Sequence, residues 1–321
     1  MNSQEIAGLQ TQWKKRFDNG HIIPVMPAFT EDGSPDYEST EAFVRWQMGE
    51  GSRIFWTTPG TSCFWNLCDA EILELNKRIA AITHGKAIFI ASSNWMWPVR
   101  ARRQFISEMA DAGADVVKLP IHWDTLYQRV WRGVSEDDIV EFHEAIACET
   151  PLPLITYTLG APGVTDSLLR RIAGIPAYIG MKNDTDDYYR QRDYLRLLKE
   201  CAPCFQPITG GWMESHLSNL PYGDGLYTAA SGMIAPDKPR EFDSLIRQGD
   251  ISAATKVVTG WEQSLTRGAI ACFENSHWAF IRQALYLIGI FKTPYAPFPH
   301  KKPTENQLAY VRDYIEQDGK L

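Results

Sequence analysis

Short apolar runs rich in β-branched and aromatic residues recur along the chain, separated by longer stretches in which apolar residues return every three or four positions. The short runs read as strands and the longer stretches as amphipathic helices, so their alternation marks successive parallel β-α units. Eight strands are predicted, at 22–27, 53–57, 87–91, 115–119, 154–158, 178–181, 205–208 and 226–230. Eight is the number that closes a β/α barrel. The clearest helix between strands is 69–82, where Ile72, Leu73, Leu75, Ile79 and Ile82 recur near one face. Asp69 and Thr165 stand where N-caps belong, and Ser135 with Asp138 three residues later reads as a capping box. Helical patterns follow the last strand at 236–248, 251–272, 277–290 and 304–317, with no Gly/Ser linker or repeat between them and the barrel. The expected fold is α/β: an eight-stranded β/α (TIM) barrel over residues 1–248, then a C-terminal helical extension over 249–321.

Composition narrows the function classes. With 44% hydrophobic and 22% charged residues the chain has the make-up of a folded globular protein. A net charge of −7 with scattered Lys and Arg is unsuited to neutralising phosphates, so nucleic acid is not an expected partner. The first twenty residues contain no secretory apolar region, and no later run approaches the roughly 18 apolar residues of a membrane span. A cytoplasmic protein with no membrane partner is expected. Six cysteines in 321 residues do not form a disulfide framework, and Cys201-Ala202-Pro203-Cys204 lacks the second pair or nearby His of a zinc site. Asp184, Asp186 and Asp187 lack the spacing of a calcium loop, and Glu214 and His216 point to different helix faces. No metal and no cofactor are expected.

In a β/α barrel the reactive groups sit at the carboxyl ends of the strands. The sixth predicted strand runs directly into Lys182, whose stem would project from an apolar wall into the barrel mouth. A lysine desolvated there is a candidate amine nucleophile for a carbonyl. Tyr157 ends the fifth strand, next to it, and could relay protons. After the second strand Thr57-Thr58-Pro59-Gly60-Thr61-Ser62 forms a turn whose N–H groups could hold a carboxylate. Position alone leaves other roles open, because lysines snorkel, strand-end tyrosines pack, and Thr, Gly and Ser are ordinary loop residues. Trp65, Trp95, Trp97, Trp123 and Trp212 all follow predicted strands, and together would line an aromatic acceptor pocket at the mouth.

Taken together, these features resemble the dihydrodipicolinate synthase and N-acetylneuraminate lyase family of class I aldolases, over nearly the whole chain. Ile23-Pro24-Val25-Met26-Pro27-Ala28-Phe29-Thr30 with Asp32-Gly33 looks like the family's first strand and turn. Gly60-Thr61-Ser62 is similar to its carboxylate loop, Tyr157 to its strand-five tyrosine, and Gly180-Met181-Lys182 to the run that carries its Schiff-base lysine. The resemblance implies that Lys182 binds pyruvate or a related 2-oxo acid as an imine and that Tyr157 moves protons. It also implies that Thr61 and Ser62 hold the carboxylate, that Gly210-Gly211 shapes the pocket floor, and that the chain forms a homodimer or homotetramer. Its expected partners are a 2-oxo acid and an aldehyde. Three departures qualify this. Cys63-Phe64 replaces a common Gly-Glu, and Pro120-Ile121-His122-Trp123 replaces Pro-Tyr-Tyr, leaving His122 as either a substitute proton carrier or an ordinary loop histidine. No arginine follows Tyr157 in Thr158-Leu159-Gly160-Ala161-Pro162-Gly163, against true dihydrodipicolinate synthesis. The expected function is a Schiff-base lyase making or breaking carbon–carbon bonds; the alternatives are a 2-keto-3-deoxy sugar acid dehydratase and a non-catalytic 2-oxo acid sensor.

Overall fold

The computed structural model describes residues 3–18, 20–94, 97–120, 135–157, 165–183, 188–223, 225–274, 276–296 and 302–317. Its strands in chain order are β1 (His21–Pro24), β2 (Ala28–Phe29), β3 (Pro35–Asp36), β4 (Ile54–Trp56), β5 (Ile88–Ser92), β6 (Val116–Pro120), β7 (Leu154–Tyr157), β8 (Tyr178–Asn183), β9 (Gln206–Thr209) and β10 (Leu226–Thr228). Strands β1 and β4 to β10 close into a parallel barrel in sequential order, while β2 and β3 form a small antiparallel pair beside it. The eight expected strands are therefore the eight of the barrel. Their inner faces pack Ile22, Ile54, Trp56, Ile88, Ile90, Val116, Ile155, Ile179, Ile208 and Leu226 into one cluster. Branched residues of this kind fill the interior of such barrels as side-chain layers, leaving a packed core and no pore.

The helices are α1 (Ser3–Phe17), α2 (Tyr37–Gly49), α3 (Asp69–Thr83), α4 (Val99–Ala112), α5 (Glu136–Ala147), α6 (Asp166–Ala173), α7 (Tyr188–Cys201), α8 (Met213–Asn219), α9 (Asp237–Gln248), α10 (Ile251–Val257), α11 (Gln263–Phe273), α12 (His277–Leu287) and α13 (Glu305–Gln317). Helix α1 was not anticipated, because its apolar stripe is narrow among charges. It stoppers the barrel's N-terminal end: Trp13 and Phe17 join the inner cluster, and Gln10 Nε2 donates to the carbonyls of Ala173 and Tyr178. Ser135 and Thr165 cap α5 and α6 as expected. Helix α3 is capped differently. Cys68 is its N-cap, with its N–H bonded to Glu71, and Asp69 is the first helical residue. The expected long helix over 251–272 is broken by a π turn at Val258–Glu262. Among the described residues no helix is long and apolar enough to cross a membrane.

One irregularity in β8 bears directly on the barrel mouth. Leu154 pairs with Tyr178, but Ile155 pairs with Gly180, so Ile179 is an extra residue and β8 is bulged. Side chains alternate along a strand, and a bulge reverses the parity beyond it. Tyr178 faces outward, its hydroxyl bonded to His143 Nδ1 of α5. Four residues later Lys182 faces inward, over the rings of Tyr157 and Trp56. Gly180 makes the bulge possible, since a Cβ there would lie 2.6 Å from the carbonyl oxygen of Gln206 and 3.0 Å from its Cβ.

Gly180→Ala is predicted to destabilise the fold by about 1–3 kcal/mol, the usual cost of forcing an atom into a closed core. Gly8→Ala, in an exposed helical position with nothing within 4 Å, is predicted to stabilise it by up to about 1 kcal/mol. Urea unfolding of the two variants checks the contrast; equal midpoints would show that the space beside Gly180 is not limiting.

Candidate active site

The last residues of β7 and β8 lie side by side, with Tyr157 in register with Lys182. Both are buried: Tyr157 is 3% and Lys182 6% exposed. Lys182 Nζ stands 4.5 Å from the Tyr157 ring centroid and 5.1 Å from that of Trp56, which ends β4. A second lysine shares these rings. Lys118 of β6 is 1% exposed, and its Nζ lies 3.9 Å from the Trp56 centroid and 5.3 Å from that of Tyr157. Its strand register matches it to Ser92 and Ile155, one inner layer below the Tyr157–Lys182 pair. A desolvated cation over an aromatic face gains about 2 kcal/mol, so the rings hold both amines within the apolar interior. Trp56 and Lys118 escaped the sequence reading, although each lies two positions after an inward residue, Ile54 and Val116, and so shares its face.

The turn after β4 is pinned from two sides. Thr57 Oγ1 donates to Asn76 Oδ1 and accepts from the N–H of Ser92, tying β4, β5 and α3 together. Ser62 Oγ accepts from the N–H of Thr58 and donates to the carbonyl of Val25 at 2.6 Å. The Ser62 hydroxyl proton, expected to meet a carboxylate, is therefore engaged in holding the turn against β1. The N–H groups of Ser62, Cys63 and Phe64 bond within the turn, whereas among the described residues no carbonyl accepts from those of Gly60 or Thr61. Thr61 is buried and Gly60 exposed. On the other side of the mouth the N–H of Gly210 donates to Asn183, beside Lys182, and Gly211 adopts a left-handed φ of 103°.

The described tryptophans of the expected wall lie apart from one another. Trp65 is 58% exposed, Trp97 packs edge-on against Phe105, and Trp212 stacks on Trp278 and against His277 of α12. Among the described residues, the indole against Lys182 is Trp56. Trp95, His122 and Trp123 lie outside the described residues. Among those described, no group of three or more acidic, His or Cys side chains is arranged to hold a metal ion.

The site thus places a buried lysine at the carboxyl end of a closed β/α barrel. The model of the dihydrodipicolinate synthetase family matches residues 130–318, more than half of the chain, and the protein belongs to that family of lyase- and aldolase-type enzymes. It is 28% identical over 236 residues to a probable 5-dehydro-4-deoxyglucarate dehydratase of Streptomyces avermitilis, covering 73% of this chain and 67% of that protein. It is 26% identical over 308 residues to the putative 2-dehydro-3-deoxy-D-gluconate aldolase YagE of Escherichia coli K12, covering 93% of this chain and 96% of that one. The crystal structure of YagE in complex with pyruvate superposes with a TM-score of 0.79, at 20% identity over the structurally aligned residues, covering 94% of this chain and 99% of that one. Dihydrodipicolinate synthase from Oceanobacillus iheyensis gives 0.82 at 16% identity, covering 97% of this chain and all of that one.

The C-terminal helices brace the mouth through buried charges. Arg282 of α12 donates to the carbonyl of Pro27 at 2.7 Å and reaches Cys63 Sγ at 3.8 Å, joining the end of β1 to the turn after β4. Burial pushes its pKa down, partly offset by Cys63. Glu262, in the π turn, accepts from the N–H groups of Met213 and Glu214 and from Ser231 Oγ, so one carboxylate ties α8 to the segment after β10. Burial pushes its pKa up to about 7, against the three bonds it accepts. A carboxyl raised from 4.5 to about 7 on folding adds stability that is complete below 4.5 and is lost as pH rises through 7. The span corresponds to roughly 3 kcal/mol. The predicted outcome is that wild-type stability falls relative to Glu262→Gln between pH 4.5 and 7, as read by denaturant titrations across that range. Parallel curves would show that Glu262 does not titrate there.

Proposed function

We propose that the protein is a Schiff-base-forming lyase acting on pyruvate or a related 2-oxo acid through Lys182. The observation that carries this reading is the placement of Lys182 Nζ inside the carboxyl end of the barrel, 4.5 Å from the ring of Tyr157. The amine nitrogen attacks the 2-carbonyl carbon, the N–C2 bond forms, and the carbonyl oxygen leaves as water with the two amine protons. Protonated, the resulting imine draws electrons from the adjacent carbon, so a bond one carbon further along can break or form. Tyr157 carries protons to and from the departing oxygen and the reacting carbon, with His122 as a second carrier. The N–H groups of Gly60 and Thr61 and the Thr61 hydroxyl orient the carboxylate, Ser62 buttresses that turn, and Gly210 and Gly211 form the floor. An aldehyde is the second reactant or product, and the working form is a homodimer or homotetramer. Without an arginine after Tyr157, aspartate semialdehyde is a poor partner.

A second reading is favoured by the Streptomyces relative, whose name is that of a dehydratase. There the same imine on a 2-keto-3-deoxy sugar acid loses a proton from C3, and the resulting enamine expels the C4 hydroxyl group as water, so a carbon–oxygen bond breaks in place of a carbon–carbon bond. Both readings predict that borohydride added with pyruvate leaves a stable adduct on the peptide containing Lys182. Its absence, with pyruvate shown to bind by another method, would remove the Schiff base. A panel of 2-keto-3-deoxy sugar acids then separates the reactions. Release of pyruvate with an aldehyde marks the aldolase, and a 2-oxo acid lighter by one water marks the dehydratase. An adduct without turnover of any panel member marks a binding protein.

A further inference from the structure

Two lysines stand in the barrel interior, and the Schiff base uses one. Lys118 is the deeper, at 1% exposure. Lysine is almost never buried so completely, because desolvating an ammonium is costly and a leucine or methionine would fill the same space without that penalty. Its Nζ lies 3.9 and 5.3 Å from the centroids of Trp56 and Tyr157, and Lys182 Nζ lies 5.1 and 4.5 Å from the same two rings. The two amines therefore approach the same two rings.

A 2-oxo acid joined to Lys182 through C2 carries its carboxylate on the adjacent carbon, one bond away, so the anion is confined close to the rings that both lysines approach. The turn after β4 offers it N–H dipoles but no formal charge, and the hydroxyl of Ser62 already donates to Val25. Lys118 supplies the charge. An ammonium–carboxylate hydrogen bond is roughly twice as strong as a neutral one. We infer that Lys118 is a specificity-determining residue: its ammonium pairs with the carboxylate of the 2-oxo acid held on Lys182 and selects such acids over uncharged carbonyl compounds. The inference rests on the Schiff-base reading of Lys182.

The test compares borohydride trapping by pyruvate and by its uncharged ester, methyl pyruvate, in the wild type, Lys118→Met and Lys118→Gln, with circular dichroism as the check on folding. In the wild type the ester is expected to need at least about tenfold more reagent for half-maximal trapping at Lys182. In each folded variant the pyruvate requirement is expected to rise roughly 10- to 100-fold, and the preference over the ester to collapse by a similar factor. A preference unchanged in either folded variant overturns the role of Lys118 while leaving the Schiff base in place. Equal trapping of acid and ester by the wild type overturns it even if neither variant folds. No adduct from pyruvate in the wild type defeats the Schiff-base reading and this inference with it.

Discussion

Side chains alternate across a strand, so in a regular β8 Tyr178 and Lys182, four positions apart, would share the outer face of the barrel. The register shift at Ile179 separates them. Tyr178 packs outward against α5, and Lys182 turns inward to the rings of Tyr157 and Trp56. The proposed chemistry depends on that single extra residue, because a lysine on the outer face would pack against helices. Gly180 sustains it, since only a residue without Cβ can lie so close to the backbone of Gln206. Bulges commonly re-aim side chains beside active sites, and here the bulge and the proposed nucleophile are three residues apart.

Once Lys182 points inward, the remaining elements hold its surroundings fixed. The Thr57–Asn76–Ser92 network sets the level of Trp56, and Ser62 fastens the following turn to β1. From the other side Arg282 and Glu262 bring the C-terminal helices onto the mouth with buried hydrogen-bonded charges. Such charges are costly to bury unless well bonded, and each is satisfied by backbone groups at a strand end or a helix start. The helical extension is thus part of the site's frame. Trp212 contributes in the same sense, by stacking on Trp278 of α12.

Much of this was legible from the residues. Parallel strands buried on both faces are nearly continuous apolar runs, which is why all eight could be placed. Lys182 and Tyr157 were legible because they end such runs. The bulge was not read, although its signal was present: a glycine inside a strand, here Gly180, often marks a bulge. Trp56 and Lys118 were readable in principle from the alternation with Ile54 and Val116, yet a lysine inside an apolar run is easily taken for an exposed strand end. The described tryptophans show the opposite difficulty. Their positions after strands implied a common wall, but position in a loop does not fix direction, and Trp97 and Trp212 pack against neighbouring helices. Helix α1 was obscured because only Gln10, Trp13 and Phe17 of its fifteen residues are buried.

The most direct test of the central claim is a crystal structure of the unreduced enzyme with pyruvate. The account predicts continuous electron density from Lys182 Nζ to C2 of pyruvate, inside the barrel between Tyr157 and Trp56, with Ile179 bulged out of register. Pyruvate bound elsewhere, or Lys182 turned to the outer face with Tyr178, would contradict it.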